Sequence, residues 1–260
     1  MAGTSGPTFT LLAGMAAGLG GGVLSGLFGV GGGIVLIPLL AVLLGLNQHQ
    51  AQGVTLAALL FPNTLPAVLH FRSRGIPIHW PLVGAMIAAF LPGVWGGARI
   101  ANLIPEGPLR LGFVGFLLVL ALRTFLQKRP TEVATDGPPQ SPSWAPGLVI
   151  GLVGGCCAGL LGIGGGVVMI PMLVLWLKLP QHEAQLASIA VLLPPVGLPG
   201  VLVYAQSQSS FPWLILIGLA LGFQLGAFGG ARIATRIAGP QLQRIFAGVM
   251  VVLAAMLLFR

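Results

Sequence analysis

The chain has 260 residues, of which 56% are hydrophobic and 6% are charged, with a formal net charge of +8. A soluble domain carries ~25% charged residues, so this composition excludes a soluble fold and indicates an integral membrane protein. The first charged side chain is Arg72, and later charge-free runs cover residues 75–98, 137–177 and 184–231. Basic residues are scattered at predicted helix ends rather than clustered, which predicts topology signals and no nucleic-acid partner.

Four apolar stretches follow one another in each half of the chain, and a polar, proline-rich segment separates the halves. This pattern divides the chain into a first membrane repeat (8–127), a linker (128–143) and a second membrane repeat (144–260). The stretches cover residues 11–46, 51–70, 80–104 and 108–126, then 144–179, 184–204, 212–237 and 241–259.

The second half repeats the first. A gapless shift of 133 positions places Gly29–Gly33 on Gly162–Gly166, and nine of the thirteen residues in 26–38 are identical to their partners in 159–171. Many secondary transporters are built from such a duplication, with the ligand site between the halves. The repeat therefore predicts a transporter with its site near the midplane.

The first stretch of each half is too long for one ordinary helix. Residues 11–46 would extend ~54 Å as a helix, whereas the hydrocarbon core is ~30 Å thick. The sequence predicts a hairpin that enters to about Phe28, turns at Gly29–Gly33 and returns to about Leu46. A hairpin crosses an even number of times, so with three further helices each half crosses an odd number of times and the second half is inverted.

The arginines and lysines support inversion. The inverted arrangement places nine basic residues on one side and three on the other, whereas a parallel arrangement gives six and six. Because cytoplasmic loops are rich in Lys and Arg, we expect the linker in the cytoplasm and both termini in the periplasm of a bacterial inner membrane. The fold class is all-α integral membrane, with two inverted repeats, each a glycine-broken helical hairpin plus three transmembrane helices.

The glycine runs are the leading candidates for a substrate site. Unwound backbone at membrane depth is tolerated only where it is buried in protein or lines a cavity, and the helix that follows presents unpaired N–H groups to an anion. The alternative is that these glycines only allow tight helix packing. The predicted substrate-binding glycines are Gly29, Gly31, Gly32, Gly33, Gly162, Gly164, Gly165 and Gly166.

Prolines interrupt the second helix of each half, at Pro62–Pro66 and at Pro194–Pro199. Each proline frees a backbone carbonyl upstream. Thr55, its repeat partner Ser188, and Asn63 are uncharged polar side chains that we expect to face a cavity, with a simple kink as the alternative.

The ionisable residues are few. Arg99 and Arg232 follow a Gly-Gly-Ala at the end of the third helix, where they either cap carbonyls and reach the interface or guide an anion. His49 and His182 either carry coupling protons or are interfacial. Because no carboxylate lies within an apolar run, the site suits an anion or a neutral solute rather than a cation.

The paired glycine motif followed five residues later by Pro38 or Pro171, together with the repeated Gly-Gly-Ala-Arg-Ile, resembles the sulfite exporter TauE/SafE family of bacterial membrane permeases. The resemblance covers about residues 10–260 except the linker. It implies export of small sulfur-containing anions, namely sulfite or sulfonates such as sulfoacetate. It carries family roles over to the glycine motifs and to Arg99 and Arg232.

The prediction is therefore a transporter, not an enzyme, that exports such anions by alternating access; the alternative is an anion channel of the same architecture. The expected partners are a small anionic substrate and the lipid bilayer, with a homodimer also considered. No cofactor or metal is predicted, because Cys156 and Cys157 have no His or Cys partners at metal-ligand spacing.

Overall fold

The computed structural model describes most of the chain, and every regular element in the described part is an α-helix. Gly29, Gly31, Asn63 and residues 128–142 of the linker lie outside the described residues. The described residues are 7–28, 32–60, 68, 71–73, 75–126, 143–208, 211–234 and 239–259.

The helices follow the predicted apolar stretches. A break divides the first stretch of each half and the second stretch of the second half, while residues 61–67 of the first half lie outside the described residues. The first half contains α1 (Pro7–Phe28), α2 (Gly33–Leu44), α3 (Gln48–Ala58), α4 (Trp80–Leu103) and α5 (Glu106–Leu126). The second half contains α6 (Ala145–Leu161), α7 (Gly166–Trp176), α8 (Gln181–Val191), α9 (Leu198–Ser207), α10 (Trp213–Ala234) and α11 (Gly239–Leu258).

Each glycine run lies between two helices, as the sequence predicts, and the helix before it is longer than the helix after it. α1 ends at Phe28 and α2 begins at Gly33; in the second half α6 ends at Leu161 and α7 begins at Gly166. With 12 and 11 residues, α2 and α7 are about 18 and 17 Å long at 1.5 Å per residue. Both are shorter than a hydrocarbon core of ~30 Å, so the returning arm of each hairpin is a half-length helix.

The hairpin of the second half returns to the end at which it started. Near the start of α6, a Cβ on Gly147 would lie 2.8 Å from the carbonyl oxygen of Leu82, which is in the first turn of α4. After α7, Glu183 in the first turn of α8 lies 3.0 Å from His79, directly before α4. Both ends of the hairpin therefore lie at the N-terminal end of α4.

The other end of α4 holds the start of α3. His49 Nε2 lies 3.0 Å from the carbonyl oxygen of Ala101, and Asn102 donates to Ser207 Oγ at 3.0 Å. α4 has 24 residues and is therefore about 36 Å long. The starts of α3 and of its repeat partner α8 thus lie at opposite ends of one long helix.

Glycine stripes join the two halves. The most extensive helix contacts are α1 on α10 and α6 on α4, so the first arm of each hairpin packs on a long helix of the other half. Glycines four residues apart bring these backbones together, in the manner of small-residue membrane interfaces. The glycines that face a carbonyl oxygen of the partner helix include Gly14, Gly18 and Gly22 on α1 and Gly151, Gly155 and Gly159 on α6.

The outer surface is apolar. α5 exposes Leu118 (44%), Leu122 (59%) and Phe125 (69%), a continuous apolar surface that requires lipid or protein to cover it. Within the described residues, four helices are long and apolar enough to cross a membrane, namely Pro7–Leu27, Trp80–Leu103, Glu106–Phe125 and Trp213–Gly230.

Candidate functional site

The glycine breaks of the two halves are in contact. A Cβ on Gly33, the first residue of α2, would lie 2.5 Å from Ile163 Cα and 2.8 Å from the carbonyl oxygen of Gly162. Gly32, directly before it, packs against the ring of Phe223 on α10. Gly33 and the backbone of residues 162–163 therefore approach each other without an intervening side chain.

The second break is an irregular segment of left-handed backbone. Gly162, Gly164 and Gly165 have φ angles of 73°, 83° and 73°, values that side-chain-bearing residues rarely adopt. The N–H of Gly166 donates to Gly164 O at 2.9 Å, and the N–H groups of Val168 and Met169 both donate to Gly165 O at 3.0 Å. The start of α7 therefore offers fewer free donors than the sequence argument assumed.

Helix α3 presents a polar face to this break. Gln48, Gln52 and Thr55 fall within about 60° of one another on a helix of 3.6 residues per turn, and their exposed fractions are 1%, 0% and 0%. The same face reaches the glycines, because a Cβ on Gly162 would lie 2.9 Å from Gln52 Cα and one on Gly164 would lie 3.1 Å from Leu59 Cδ1.

Most polar atoms of this face lack hydrogen-bond partners. Both side-chain polar atoms of Gln48, Nε2 of Gln52 and Oγ1 of Thr55 are buried without a partner. Such a group costs about 1–3 kcal/mol, so their retention in an apolar interior points to a role in binding.

Gln52 is also tethered to the second half. The Tyr204 hydroxyl donates to the carbonyl oxygen of Gly159 at 2.7 Å and lies 3.0 Å from the Gln52 side-chain amide. This cluster joins α3, α9 and the end of α6 directly before the glycine break. It holds the polar face of α3 against that break.

A small cavity lies where the glycine and proline breaks of the second half meet. Its volume is about 20 Å³, enough for about one water molecule. The structure therefore brings the proline segment of the second half next to its glycine break. The cavity is lined by Leu56, Leu59, Leu60, Phe90, Gly164, Leu192, Pro194, Val196 and Gly197.

The remaining predicted residues lie in different places. Ser188 is buried next to Gly166, whose Cβ would lie 3.3 Å from its Oγ. Arg99 is exposed and lies over the ring of Trp95, 4.9 Å from its centroid, and Arg232 is also exposed. The structure thus places Thr55 and Ser188 by the glycine breaks and the two arginines on the outer surface.

Acidic side chains are absent from the described interior. Glu106 is exposed at the start of α5, and Glu183 pairs with His79. The other two acidic residues, Glu132 and Asp136, belong to the linker. In the described part of the chain, the nearest carboxylate to this face is that of the exposed Glu106, which accepts from the backbone N–H of Gln48 at the start of α3. The part of the face beside the glycine breaks, Gln52 and Thr55, therefore has hydrogen-bonding groups without an acidic side chain among them, a combination that suits an anion.

Sequence reasoning missed Gln48 and Gln52. The signal was present in the repeat, because the glutamines recur as Gln181 and Gln185, four residues apart in each copy. Burial of these amides could not be read from the sequence, since glutamine is usually exposed.

A family model described as "Sulfite exporter TauE/SafE" matches residues 14–257. The chain belongs to this family. The match covers both repeats, so both glycine breaks and the α3 face lie within the part of the chain that belongs to this membrane transporter family.

Curated relatives carry the same general description. The "Probable membrane transporter protein YunE" of Bacillus subtilis is 24% identical over 93% of this chain and 95% of the relative. The "Probable membrane transporter protein YjnA" of the same organism is 27% identical over 89% and 93%. A probable membrane transporter protein of Xylella fastidiosa is 26% identical over 90% of each chain. No solved structure matches the chain significantly.

Proposed function

We propose that this TauE/SafE protein exports small sulfur-containing anions, sulfite or organosulfonates such as sulfoacetate, across the bacterial inner membrane by alternating access. The observation that carries the proposal is the contact between Gly33 and Gly162–Ile163 beside the buried, unpartnered face of α3. Amide and hydroxyl donors near two helix starts can bind the oxygens of a sulfonate. A carboxylate among these donors would repel the anion.

Inverted repeats are the arrangement that we propose for the two halves. The starts of α3 and α8 lie at opposite ends of α4, near Ala101 and His79 respectively. Equivalent helices therefore begin at opposite ends of the molecule, which supports a pseudo-two-fold axis in the membrane plane. The positive-inside bias then favours a cytoplasmic linker and periplasmic termini.

The small size of the cavity beside Gly164 favours alternating access. A cavity of about 20 Å³ is too small for a sulfonate, so a bound anion requires the packing around the breaks to open. Outward movement of one negative charge gains ~2.3 kcal/mol per 100 mV of inside-negative potential. Export could therefore proceed without a coupling ion.

The test is flux in proteoliposomes loaded with radiolabelled sulfite or sulfoacetate, with acetate as the anion that should not compete. Wild type should give saturable release. Leu59→Trp, which fills the space beside Gly164, should abolish it, while Leu118→Trp on the exposed face of α5 should not. Normal flux in Leu59→Trp, or no sulfur anion moved by wild type, would reject the proposal.

An anion channel of the same architecture makes a different prediction. A transporter should show accelerated exchange when unlabelled substrate is present on the opposite side, because binding on that side drives the return step. A channel gives no such acceleration and its flux does not saturate at low concentration. Counterflow therefore separates the two.

A further inference from the structure

A second group of unpartnered polar side chains lies at one end of the molecule. Apart from Gln52 and Thr55, the buried side-chain nitrogen and oxygen atoms that lack partners in the described part of the chain belong to Gln48, Arg110 and Gln208. The function proposed above uses neither Arg110 nor Gln208.

Contacts place these residues around the same end. The backbone N–H of Gln48 donates to Glu106 Oε1 at 3.2 Å, and Arg110 is one turn further along α5 than Glu106. Gln208 follows Ser207, which contacts Asn102 at the end of α4. The starts of α3 and α5 and the ends of α4 and α9 therefore converge here.

Packing behind this end confirms the convergence. Leu109 is 4% exposed and belongs to one buried cluster with Val203, Tyr204 and Ala101. Arg110 is the next residue, on a helix turn that packs against the tether of Gln52 to Tyr204. Its side chain is half-buried.

Arg110 lies in the second turn of α5, and its Nε is buried without a partner. A charged side chain in a membrane-spanning helix commonly faces a water-filled cavity or an ion pathway. Although Glu106 lies four residues earlier, the described residues contain no ion pair of Arg110 within 4.0 Å. Its repeat partner in the second half is the neutral Gln243, and the arginine there is the next residue, Arg244, which is exposed rather than half-buried.

The polar face of α3 leads from this end to the glycine breaks. Gln48 is at the first turn beside Glu106, Gln52 contacts Gly162, and Thr55 is further along the same face. The distance from Gln48 to Thr55 along the helix axis is about 10 Å. Donors therefore follow one another from the end of the molecule to the breaks.

Resting on the proposed export function, we infer that Arg110, Gln48, Gln52 and Thr55 line the anion's path between the glycine breaks and this end. The guanidinium of Arg110 binds the oxyanion through its planar set of N–H donors. The amides of α3 donate to the same oxygens on the way. Under the proposed topology this end is periplasmic, so Arg110 receives the anion as it leaves.

Three arginine variants test the inference in the proteoliposome assay with sulfite and sulfoacetate. Arg110→Gln should raise the half-saturating concentration at least about ten-fold, since it removes a charge-assisted hydrogen bond. Arg110→Lys keeps the charge and should recover part of the loss. Arg123→Gln is the matched control, because Arg123 is exposed in the last turn of the same helix, at the other end from Arg110; it should behave as wild type.

A second pair of variants separates binding by Gln52 from its tether. Gln52→Leu removes both the donor and the bond to Tyr204, whereas Tyr204→Phe removes only the hydroxyl. Gln52→Leu should reduce flux several-fold more than Tyr204→Phe. Equal losses would show that Gln52 acts only through the tether and would overturn its role in the path.

The outcomes distinguish this inference from the proposed function. If wild type moves neither sulfite nor sulfoacetate, the proposed function fails. If wild type moves them and Arg110→Gln has an unchanged half-saturating concentration, the proposed function stands and the path is wrong. Should Arg110→Gln not fold, Arg110→Lys decides, because an unchanged half-saturating concentration in that variant removes any role for the guanidinium.

Discussion

The short helices α3 and α8 occupy equivalent positions in the two repeats and have 11 residues each, yet their polar faces differ. On α3, Gln48, Gln52 and Thr55 are all sealed inside the protein. On α8, Gln181 is exposed and Gln185 is half-buried, and only Ser188 is fully buried. Duplication supplied the same helix twice, but the surroundings buried the whole polar face of one copy only.

Their N-termini differ as well. Asn47 and Gln50 form a capping box at the start of α3, where Glu106 adds a third contact. The N-cap of α8 is Pro180, which has no side-chain hydrogen bond, and Glu183 pairs instead with His79. The start of α3 is therefore held by residues of its own half, and the start of α8 by a residue of the other half.

The largest difference in stability between the two halves should come from the glycines at the starts of α2 and α7. Gly33→Ala places a Cβ against the backbone of Ile163 and Gly162, whereas Gly166→Ala meets only Ser188 Oγ at 3.3 Å. Because backbone cannot yield cheaply, Gly33→Ala should lower stability by about 1–3 kcal/mol and Gly166→Ala by much less. Thermal unfolding in detergent measures both, and equal losses would mean that the two breaks are equally crowded.

Thr55→Val should act in opposite directions on stability and on transport. The change removes a buried hydroxyl without a partner, so stability should rise by about 1–2 kcal/mol while sulfite flux falls several-fold. Ser188→Ala, at the equivalent position, is the control and should change flux less. A Thr55→Val protein that is less stable would show that the hydroxyl has a structural partner.

Asn47→Ala tests the capping difference. It removes the bond to the Gln50 N–H, which is 2.8 Å long, and should cost about 1 kcal/mol. Gln181→Ala, an exposed truncation at the start of α8, should be nearly neutral. The measurement is again thermal unfolding, and a silent Asn47→Ala would indicate that Glu106 alone is sufficient to hold the start of α3.

The smallest effect should come from Glu183→Gln. The pair with His79 is partly exposed, with side-chain exposures of 18% and 22%, so the loss should stay below about 1 kcal/mol. The reciprocal change Gln50→Glu should be nearly silent, because glutamate also fits a capping box. Thermal unfolding of the two single variants and of the double variant measures this. A large drop in unfolding temperature for Glu183→Gln would show that the pair with His79 contributes more than expected.

Much of the helix pattern could be predicted from hydropathy and glycine placement. The ends of α1 and α6 and the starts of α2 and α7 follow from the glycine runs, because a helix longer than the bilayer must break where glycine permits it. The proline break at Pro194–Pro199 likewise separates α8 from α9. The first-half prolines lie outside the described residues, so that prediction stays open.

The site was less accessible from sequence. Thr55 and Ser188 could be nominated because they are polar residues in matched apolar helices. Gln48, Gln52, Tyr204 and Arg110 could not be ranked, since nothing local distinguishes a buried amide or arginine from an interfacial one. Their importance depends on contacts across more than 50 positions of chain, such as Gln52 with Tyr204.

The sequence by itself determined the membrane class, the duplication and the positions of the breaks, because these depend on composition and on residue types along one helix. Only the tertiary structure decided that the two breaks touch and that the α3 face is sealed. The role of the glycine stripes also became clear only from the tertiary structure, because glycines four residues apart allow close packing only where the backbone of a partner helix lies against them. Burial is a property of neighbours, and neighbours here come from opposite halves of the chain.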